Sequence, residues 1–437
     1  MRILHFSDIH IGIESYGRPL TEEDLPTLPD HFAPGESGES YLGYSTRVVD
    51  FLCAFDELAA YALHNDVDLV LFSGDAYKNR EPTQTHQREF AKRVARLAGQ
   101  GVPVFLLVGN HDLPHAPFKA SAVEIFHTLD VANVTVGDRL DVYRVQTRKG
   151  PLQVLALPWI RRSAFLMRDE VRNLPFNEAN RLLEQKLTDG LADQSQTLDP
   201  AIPAVLSGHV SVNTAKPGTE CTMMVGYDHV LMQSALTQLP VDYIALGHIH
   251  RKQQLSQSPP MAYSGSLQRV DFGEEDHEDK GFWLLDLDPE GPLGSRVKAL
   301  EFHPVAARSF VTIEATVAED DPDPTATVLR AIGRHHVAGA VVRVQVKLPA
   351  SQAAALRDRD IRQALQDLKA HTVTQVARLV ERSQRTRLGA IRPETKSPQE
   401  MLRLYLDTRQ VSPERARKLV VYAERLMREQ DGEQEEG

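Results

Sequence analysis

Val102-Pro103-Val104-Phe105-Leu106-Leu107-Val108 runs straight into Gly109-Asn110-His111-Asp112. A short apolar run with β-branched residues, closed by glycine, predicts a buried strand. Four more junctions of the same kind occur. Ile3-Leu4-His5-Phe6 leads to Asp8-Ile9-His10, and Val67-Asp68-Leu69-Val70-Leu71-Phe72 to Gly74-Asp75. Ile202-Pro203-Ala204-Val205-Leu206 leads to Gly208-His209, and Tyr243-Ile244-Ala245-Leu246 to Gly247-His248-Ile249-His250. In α/β sheets ligands bind at strand ends. The five signatures are therefore predicted to meet on one sheet edge.

Imidazole, carboxylate and amide oxygen suit borderline or hard divalent ions such as Mn, Fe or Zn. Glycine ahead of a ligand lets the backbone turn sharply after its strand. Two ions roughly 4 Å apart can clamp a phosphoester and activate a water between them. Such a pair needs a bridging carboxylate, for which Asp75 is the natural candidate. A lone Gly-His or Gly-Asp carries almost no information, because turn aspartates and surface histidines are common. Five signatures in order, each after a strand, carry a great deal.

In that order the signatures resemble those of the calcineurin-like metallophosphoesterases. The resemblance implies that Asp8, His10, Asp75 and His250 hold one ion, and that Asp75, Asn110, His209 and His248 hold the other. It makes His111 the non-ligand histidine that protonates the leaving oxygen or steadies the phosphate. Asp112 then orients and polarises that imidazole.

The chain has 437 residues, enough for two or three domains, and its hydrophobic content of 42% fills ordinary cores. Met1 to Phe6 already reads as a strand, so no signal peptide is expected, and the longest apolar runs are too short to cross a bilayer. Cys53 and Cys221 supply neither a disulfide framework nor a thiolate cluster. These features predict a soluble cytoplasmic protein. The net charge of −11 looks wrong for a protein that binds a polyanion. Residues 14–45, 274–279 and 429–437 together carry −16, however, which leaves +5 for the rest. Acidity confined to loops and a tail does not exclude a polyanionic substrate.

Residues 14–45 read as a long Gly-, Pro- and Glu-rich loop hanging over the metal edge, either idle or gating the substrate. Helices are expected over residues 46–65, 83–97 and 177–191, and strands over 131–160. Val123, Phe126 and Leu129 form an apolar stripe. Residues 283–288 and 297–303 form a closing hairpin. Lys78, Arg161 and Arg162 are candidate phosphate contacts, although exposed arginines are usually just solvated. Beyond a boundary near residues 304–309 the pattern gives strand 310–316, helix 325–336, strand 340–348, helix 352–369 and strand 372–381. A basic stretch follows, with Arg378, Arg382, Arg385, Arg387, Arg392 and Lys396. Ser397-Pro398-Gln399-Glu400 is a capping box, and Ser412-Pro413 caps a second amphipathic helix.

The fold class is α/β (α+β): a two-layered β-sheet metallophosphoesterase core flanked by helices, a small α+β capping domain and a terminal helix pair. The boundaries are 1–304 for the phosphoesterase domain, 305–382 for the capping domain, 383–396 for the basic linker and 397–430 for the helix pair. Met1-Arg2-Ile3-Leu4-His5-Phe6-Ser7-Asp8-Ile9-His10 is similar to the amino terminus of SbcD-type DNA nucleases. So is the run from Ser264-Gly265-Ser266 through Asp271-Phe272-Gly273-Glu274 to Lys280-Gly281-Phe282, and the order of parts matches. The long 14–45 loop and Lys78, where some relatives carry a histidine or acid, depart from the pattern.

The resemblance implies a 3′–5′ double-strand exonuclease and single-strand endonuclease acting on DNA ends, single strands and hairpins at the nucleoid. The implied cofactor is two divalent ions, Mn2+ first, with Mg2+, Fe2+ or Zn2+ as alternatives. The implied partner is an SbcC-type SMC-like ATPase docked on 397–430. The implied assembly is a homodimer, with residues 46–65 and 118–129 as candidate contacts. Two rivals remain at this stage: another phosphatase of the superfamily, and a DNA-tethering scaffold with incidental hydrolysis.

Overall fold

The computed structural model describes residues 1–29, 36–114, 116, 119–161, 174–218, 229–275, 279–381, 400, 402–403, 406, 411 and 414–423. The strands in chain order are β1 (Arg2–Phe6), β2 (Leu69–Phe72), β3 (Val104–Leu107), β4 (Val134–Gly137), β5 (Asp141–Thr147) and β6 (Gly150–Leu157). There follow β7 (Ala204–His209), β8 (Ser211–Val212), β9 (Val230–Leu231), β10 (Tyr243–Gly247), β11 (Gln253–Gln257) and β12 (Pro260–Tyr263). The last five are β13 (Gly281–Leu287), β14 (Val297–Pro304), β15 (Phe310–Thr316), β16 (Val341–Pro349) and β17 (Thr372–Glu381).

Two six-stranded sheets dominate, ordered β14-β13-β1-β2-β3-β4 and β11-β12-β10-β7-β6-β5. β1 to β4 run parallel, as do β6, β7, β10 and β12, so their carboxyl ends share one edge in each sheet. Side chains alternate between faces along a strand. Ile3, Leu69, Leu71, Phe105 and Leu107 accordingly meet Val154, Ala156, Val205, Tyr243 and Ala245 in the layer between the sheets. The other faces are covered by helices. Leu4, Phe6, Val70 and Phe72 pack with Val48, Leu52 and Phe55 of helix Thr46–His64 and with Phe90 of helix Gln84–Gly99. Leu206, Ile244 and Leu246 pack with Leu183, Leu187 and Leu191 of helix Phe176–Ser195. This is the expected two-sheet core with helices outside.

Two readings need correction. The 14–45 segment does not hang free: Leu20 and Tyr41 are buried in the core, and two 3-10 turns, Glu22–Thr27 and Gly38–Tyr41, structure it. Tyr41 donates to Glu36 and accepts from Arg93 of the second helix, so apolar anchors and a buried network tie the segment down. Leu129 leaves the apolar stripe, since the helix Glu124–Thr128 is short and Leu129 is 67% exposed. Arg378 lies in β17, within the expected strand 372–381, and pairs with Asp358 at 2.7 Å.

The chain divides into two compact units. One comprises Met1–Ile313, His336–Arg343 and Gln363–Gln375; the other comprises Glu314–His335, Val344–Arg362 and Val376–Gly437. β15, β16 and β17 form a three-stranded sheet in that order, and helices Pro324–Ile332 and Asp358–Asp367 accompany it in the chain. Asp323 caps the first of these helices, accepting from the amides of Thr325 and Ala326, with Pro324 inside the first turn. Residues 414–423 are helical; Ser397-Pro398, Ser412-Pro413 and the other basic-stretch residues from Arg382 to Lys396 lie outside the described residues.

Candidate metal centre

Asp8 and His10 follow β1, Asp75 follows β2, and Asn110 and His111 follow β3; His209 ends β7, and His248 and His250 follow β10. The sandwich therefore delivers all five signatures to one edge. Asp8, His10, Asp75, Asn110, His209, His248 and His250 are each at most 5% exposed. The backbone is strained where the ligands sit. Among the described residues nine non-glycines adopt positive φ, and four are Asp8 (52°), His10 (50°), Asp75 (65°) and His248 (94°). Such conformations cost on the order of 1–3 kcal/mol each and persist where the surroundings enforce them. Two glycines make room. Gly74 has φ of 101°, and a Cβ on Gly109 would overlap the Asp75 carboxylate.

The acceptors converge in a way that asks for a cation. Three overlapping groups, Asp8-His10-His250, His10-Asp75-His111 and Asp8-Asp75-His209, each bring their ligand atoms within 4.8 Å of one another. Asp75 turns one oxygen to each histidine set: Oδ2 lies 3.7 Å from His10 Nε2, and Oδ1 lies 3.5 Å from His209 Nε2. Asn110 Oδ1 sits 2.9 Å from His209 Nε2 and 3.2 Å from His248 Nδ1.

The His10–His250 pair is the most telling. His250 Nδ1 donates to the Glu274 carboxylate at 2.9 Å, and His10 Nδ1 faces the Tyr77 carbonyl at 3.4 Å. Both protons are thus assigned to Nδ1, and both Nε2 lone pairs point at each other across 2.9 Å. Two lone pairs at that distance repel unless a positive charge sits between or beside them. His209 tells the same story. Burial opposes its charged form, yet the Asp75 charge and hydrogen bond, with Asp8, push the imidazole up to about 9. A proton there supplies the positive charge that the carboxylates demand. The donor set, imidazole with carboxylate and amide oxygen, suits a pair of divalent ions.

His111 donates from Nδ1 to the Lys78 carbonyl at 2.7 Å and its amide donates to Asp75 Oδ1 at 2.8 Å. Its ring stands edge-on to His10 at 4.9 Å, so it borders the ligand cluster. Burial holds its pKa below the ordinary value. Asp112 does not orient this imidazole, contrary to expectation. Its carboxylate is fully buried and accepts from the amides of Gly109, Asp75 and Ala76 at 2.9–3.0 Å. Those amides are the nearest donors once the turns after β2 and β3 close on each other, so Asp112 staples the two turns and the Lys78 carbonyl orients the ring.

Lys78 is half-buried at this edge. Arg161 is half-buried and donates to the Lys119 carbonyl at 3.4 Å; Arg162 lies outside the described residues. Two contributors escaped the sequence reading. Trp159, 9% exposed, lays its ring 5.0 Å from that of His248 and 6.2 Å from that of His209. Glu274, counted among loop acids, is 8% exposed and ion-paired with Lys280 at 2.7 Å. Its signal was the apolar setting, Val270 and Phe272 before it and Gly281-Phe282 after the paired lysine.

The family model for calcineurin-like phosphoesterases matches residues 1–252. The chain is 24% identical over 240 residues to the DNA double-strand break repair protein Mre11 of Thermoplasma acidophilum, covering 54% of this chain and 55% of that protein. It is 24% identical over 279 residues to the Mre11 of Archaeoglobus fulgidus, covering 63% and 52%. It is 24% identical over 298 residues to the SbcD component of the SbcCD nuclease of Bacillus subtilis, covering 66% and 67%. The chain thus spans about half the length of the two archaeal relatives. No helix among the described residues is long and apolar enough to cross a membrane.

Proposed function

The chain belongs to the calcineurin-like phosphoesterase family, and from that premise we propose that it is a two-metal DNA nuclease that works with an SbcC-type ATPase. The observation that carries the reading is the single Asp75 carboxylate with one oxygen toward each of two histidine sets. Distant similarity to Mre11 and SbcD proteins directs it to DNA phosphodiesters. Asp8, His10, Asp75 and His250 hold one ion, and Asp75, Asn110, His209 and His248 hold the other, with manganese the first candidate.

Two divalent ions in that place would polarise a phosphoester and supply a nucleophile from water. The chain's own groups do the rest. Asp75 keeps the two ligand sets in register, while Asp112 fixes the turn that carries it. Because the Lys78 carbonyl holds His111 Nδ1–H, Nε2 is the nitrogen left to face the departing 3′ oxygen; it hands over a proton from the imidazolium form, which the negative charge of a bound phosphate would favour against the burial that opposes it. Lys78 and Arg161 offer positive charge to the phosphates on either side. The terminal segment 397–430 serves the ATPase partner, and a second copy of the chain completes the assembly.

The test sets labelled duplex DNA against a small phosphomonoester, each with manganese and with chelator. The reading predicts manganese-dependent DNA cleavage that chelator stops. Robust monoester turnover without DNA cleavage would overturn it.

A further inference from the structure

The turn Phe272–Glu274 lies after the last histidine pair in the sequence, yet it closes against His250. Glu274 Oε1 accepts a hydrogen bond from His250 Nδ1–H at 2.9 Å. Its other oxygen accepts from Ser266 Oγ at 2.8 Å, Lys280 Nζ at 2.7 Å and the Val270 amide at 3.3 Å. Lys280 Nζ also donates to Ser266 Oγ at 2.9 Å and to the His250 carbonyl at 3.0 Å. One buried lysine thus grips both the carboxylate and the backbone of the histidine that the carboxylate aims.

The turn is fixed from its other side as well. Glu275 accepts from the amide and hydroxyl of Thr312, and the Arg343 guanidinium lies 3.6 Å from the same carboxylate and 4.3 Å over the Phe272 ring. Phe272 itself packs edge-on to Phe310. Glu274 belongs to none of the three ligand groups and reaches the centre through its hydrogen bond to His250.

We infer that Glu274, held by Lys280 and Ser266, is a positioning residue for the ion on the His250 side of the centre. It fixes the His250 tautomer so that Nε2 faces the ion, and its negative charge raises the basicity of that nitrogen. Carboxylates that hold a ligand imidazole in this way typically change metal affinity by about 10–100-fold when removed. The inference rests on the two-ion reading above and adds a residue outside the ligand set. Trp159, by comparison, meets His248 as a tilted ring and His209 edge-on, ring contacts that limit orientation without choosing a tautomer.

The experiment follows manganese binding to the full chain by titration calorimetry. The variants are Glu274→Asp and the double change Glu274→Met with Lys280→Met. The double change removes both buried charges, so neither is left unpaired. Glu274→Asp keeps the charge beside Lys280 but withdraws the acceptor by one methylene. The wild-type chain is expected to take two equivalents. In the double variant one equivalent weakens by about 10–100-fold and the other keeps its affinity; Glu274→Asp falls between. Imidazole nitrogen NMR of the metal-free chain should show His250 leaving its single Nδ1–H tautomer in the double variant, a change that a merely structural residue would not produce. Unchanged affinity in both variants overturns the inference, as does equal weakening of both equivalents. Wild-type protein that binds no manganese instead removes the two-ion reading, and the inference with it.

Discussion

At the amino ends of the parallel strands, each buried acid meets a cation. Asp242 pairs with Arg296 at 3.2 Å and Asp68 lies 3.4 Å from Lys149 and 3.6 Å from Arg148, and beside them the partly exposed Asp286 pairs with Arg2 at 2.9 Å. At the carboxyl ends of the same strands, Asp8, Asp75 and Asp112 are as deeply buried, yet no Lys or Arg among the described residues lies within ion-pair distance of them. Asp112 has backbone amides, and among the described residues Asp8 and Asp75 have only histidines as basic partners, and these neutralise a carboxylate only by taking up a proton. Burying an unpaired charge is costly, and proteins ordinarily pair it. The difference teaches which end is structure and which end is reserved for something positive that the chain does not carry.

The strongest way to break the comparison is Asp75→Asn. Losing the shared carboxylate should abolish manganese uptake and remove turnover on DNA, a loss beyond about 10⁵-fold on the scale of enzymatic accelerations. Without metal the same change should let His209 lose its proton near neutral pH, since the Asp75 charge and hydrogen bond are what push that imidazole up to about 9. A His209 that keeps its proton in the metal-free variant would mean that Asp75 does not hold the positive charge at this end. Next in size is His111→Ala, expected to slow cleavage by about 10²–10⁴-fold with both manganese equivalents retained. Loss of an ion in that variant would move His111 from proton donor to ligand.

Much of this was legible because it is local. The apolar run Val104 to Val108 and the glycine that ends it specify a strand and a turn without reference to the rest of the chain. Parallel strands in two stacked sheets then carry the signatures to one edge. What was not legible depends on partners distant in sequence. Glu274 stands in an acidic run and looks solvated until Lys280 and His250 are seen around it. Asp112 follows a histidine, which suggests an imidazole partner, but the turn after β2 brings it amides instead. Leu20 and Tyr41 look like stray apolar residues in a polar loop, and only the core beneath them makes them anchors.

The paired end gives the next test. Asp242→Asn leaves Arg296, which is 2% exposed, buried without its counter-charge. Breaking a buried pair from one side costs about 3–5 kcal/mol. Denaturant unfolding should show that loss, while the rate of DNA cleavage per folded molecule and the manganese stoichiometry stay at wild-type values. Reduced metal uptake in this variant would show that the two ends are coupled through the strands between them.

The smallest effect sharpens the contrast at the level of single imidazoles. His209 stands beside uncompensated carboxylates and is pushed up to about 9. His371, whose Nε2 lies 3.0 Å from Thr46 Oγ1, is pushed down to about 4, first by burial and then by Arg308, with Arg18 adding to it and Asp50 and Asp24 opposing. Asp50 is already claimed by Arg308 at 2.6 Å and by Arg47 at 2.7 Å, so little negative charge is left to hold a proton on this ring. A histidine with a lowered folded-state pKa prefers to be neutral in the fold. Its contribution is intact above pH 6.5 and is lost as the pH falls toward 4, because the unfolded chain takes up the proton first. The ring is only partly buried, so solvent screening reduces the effect to on the order of 1 kcal/mol. Denaturation of wild type and His371→Gln at about pH 7.5 and about pH 4.5 isolates it, since other carboxylates titrate alike in both. The wild type should lose the larger amount of stability on acidification; parallel losses would show that burial and Arg308 do not keep this imidazole neutral.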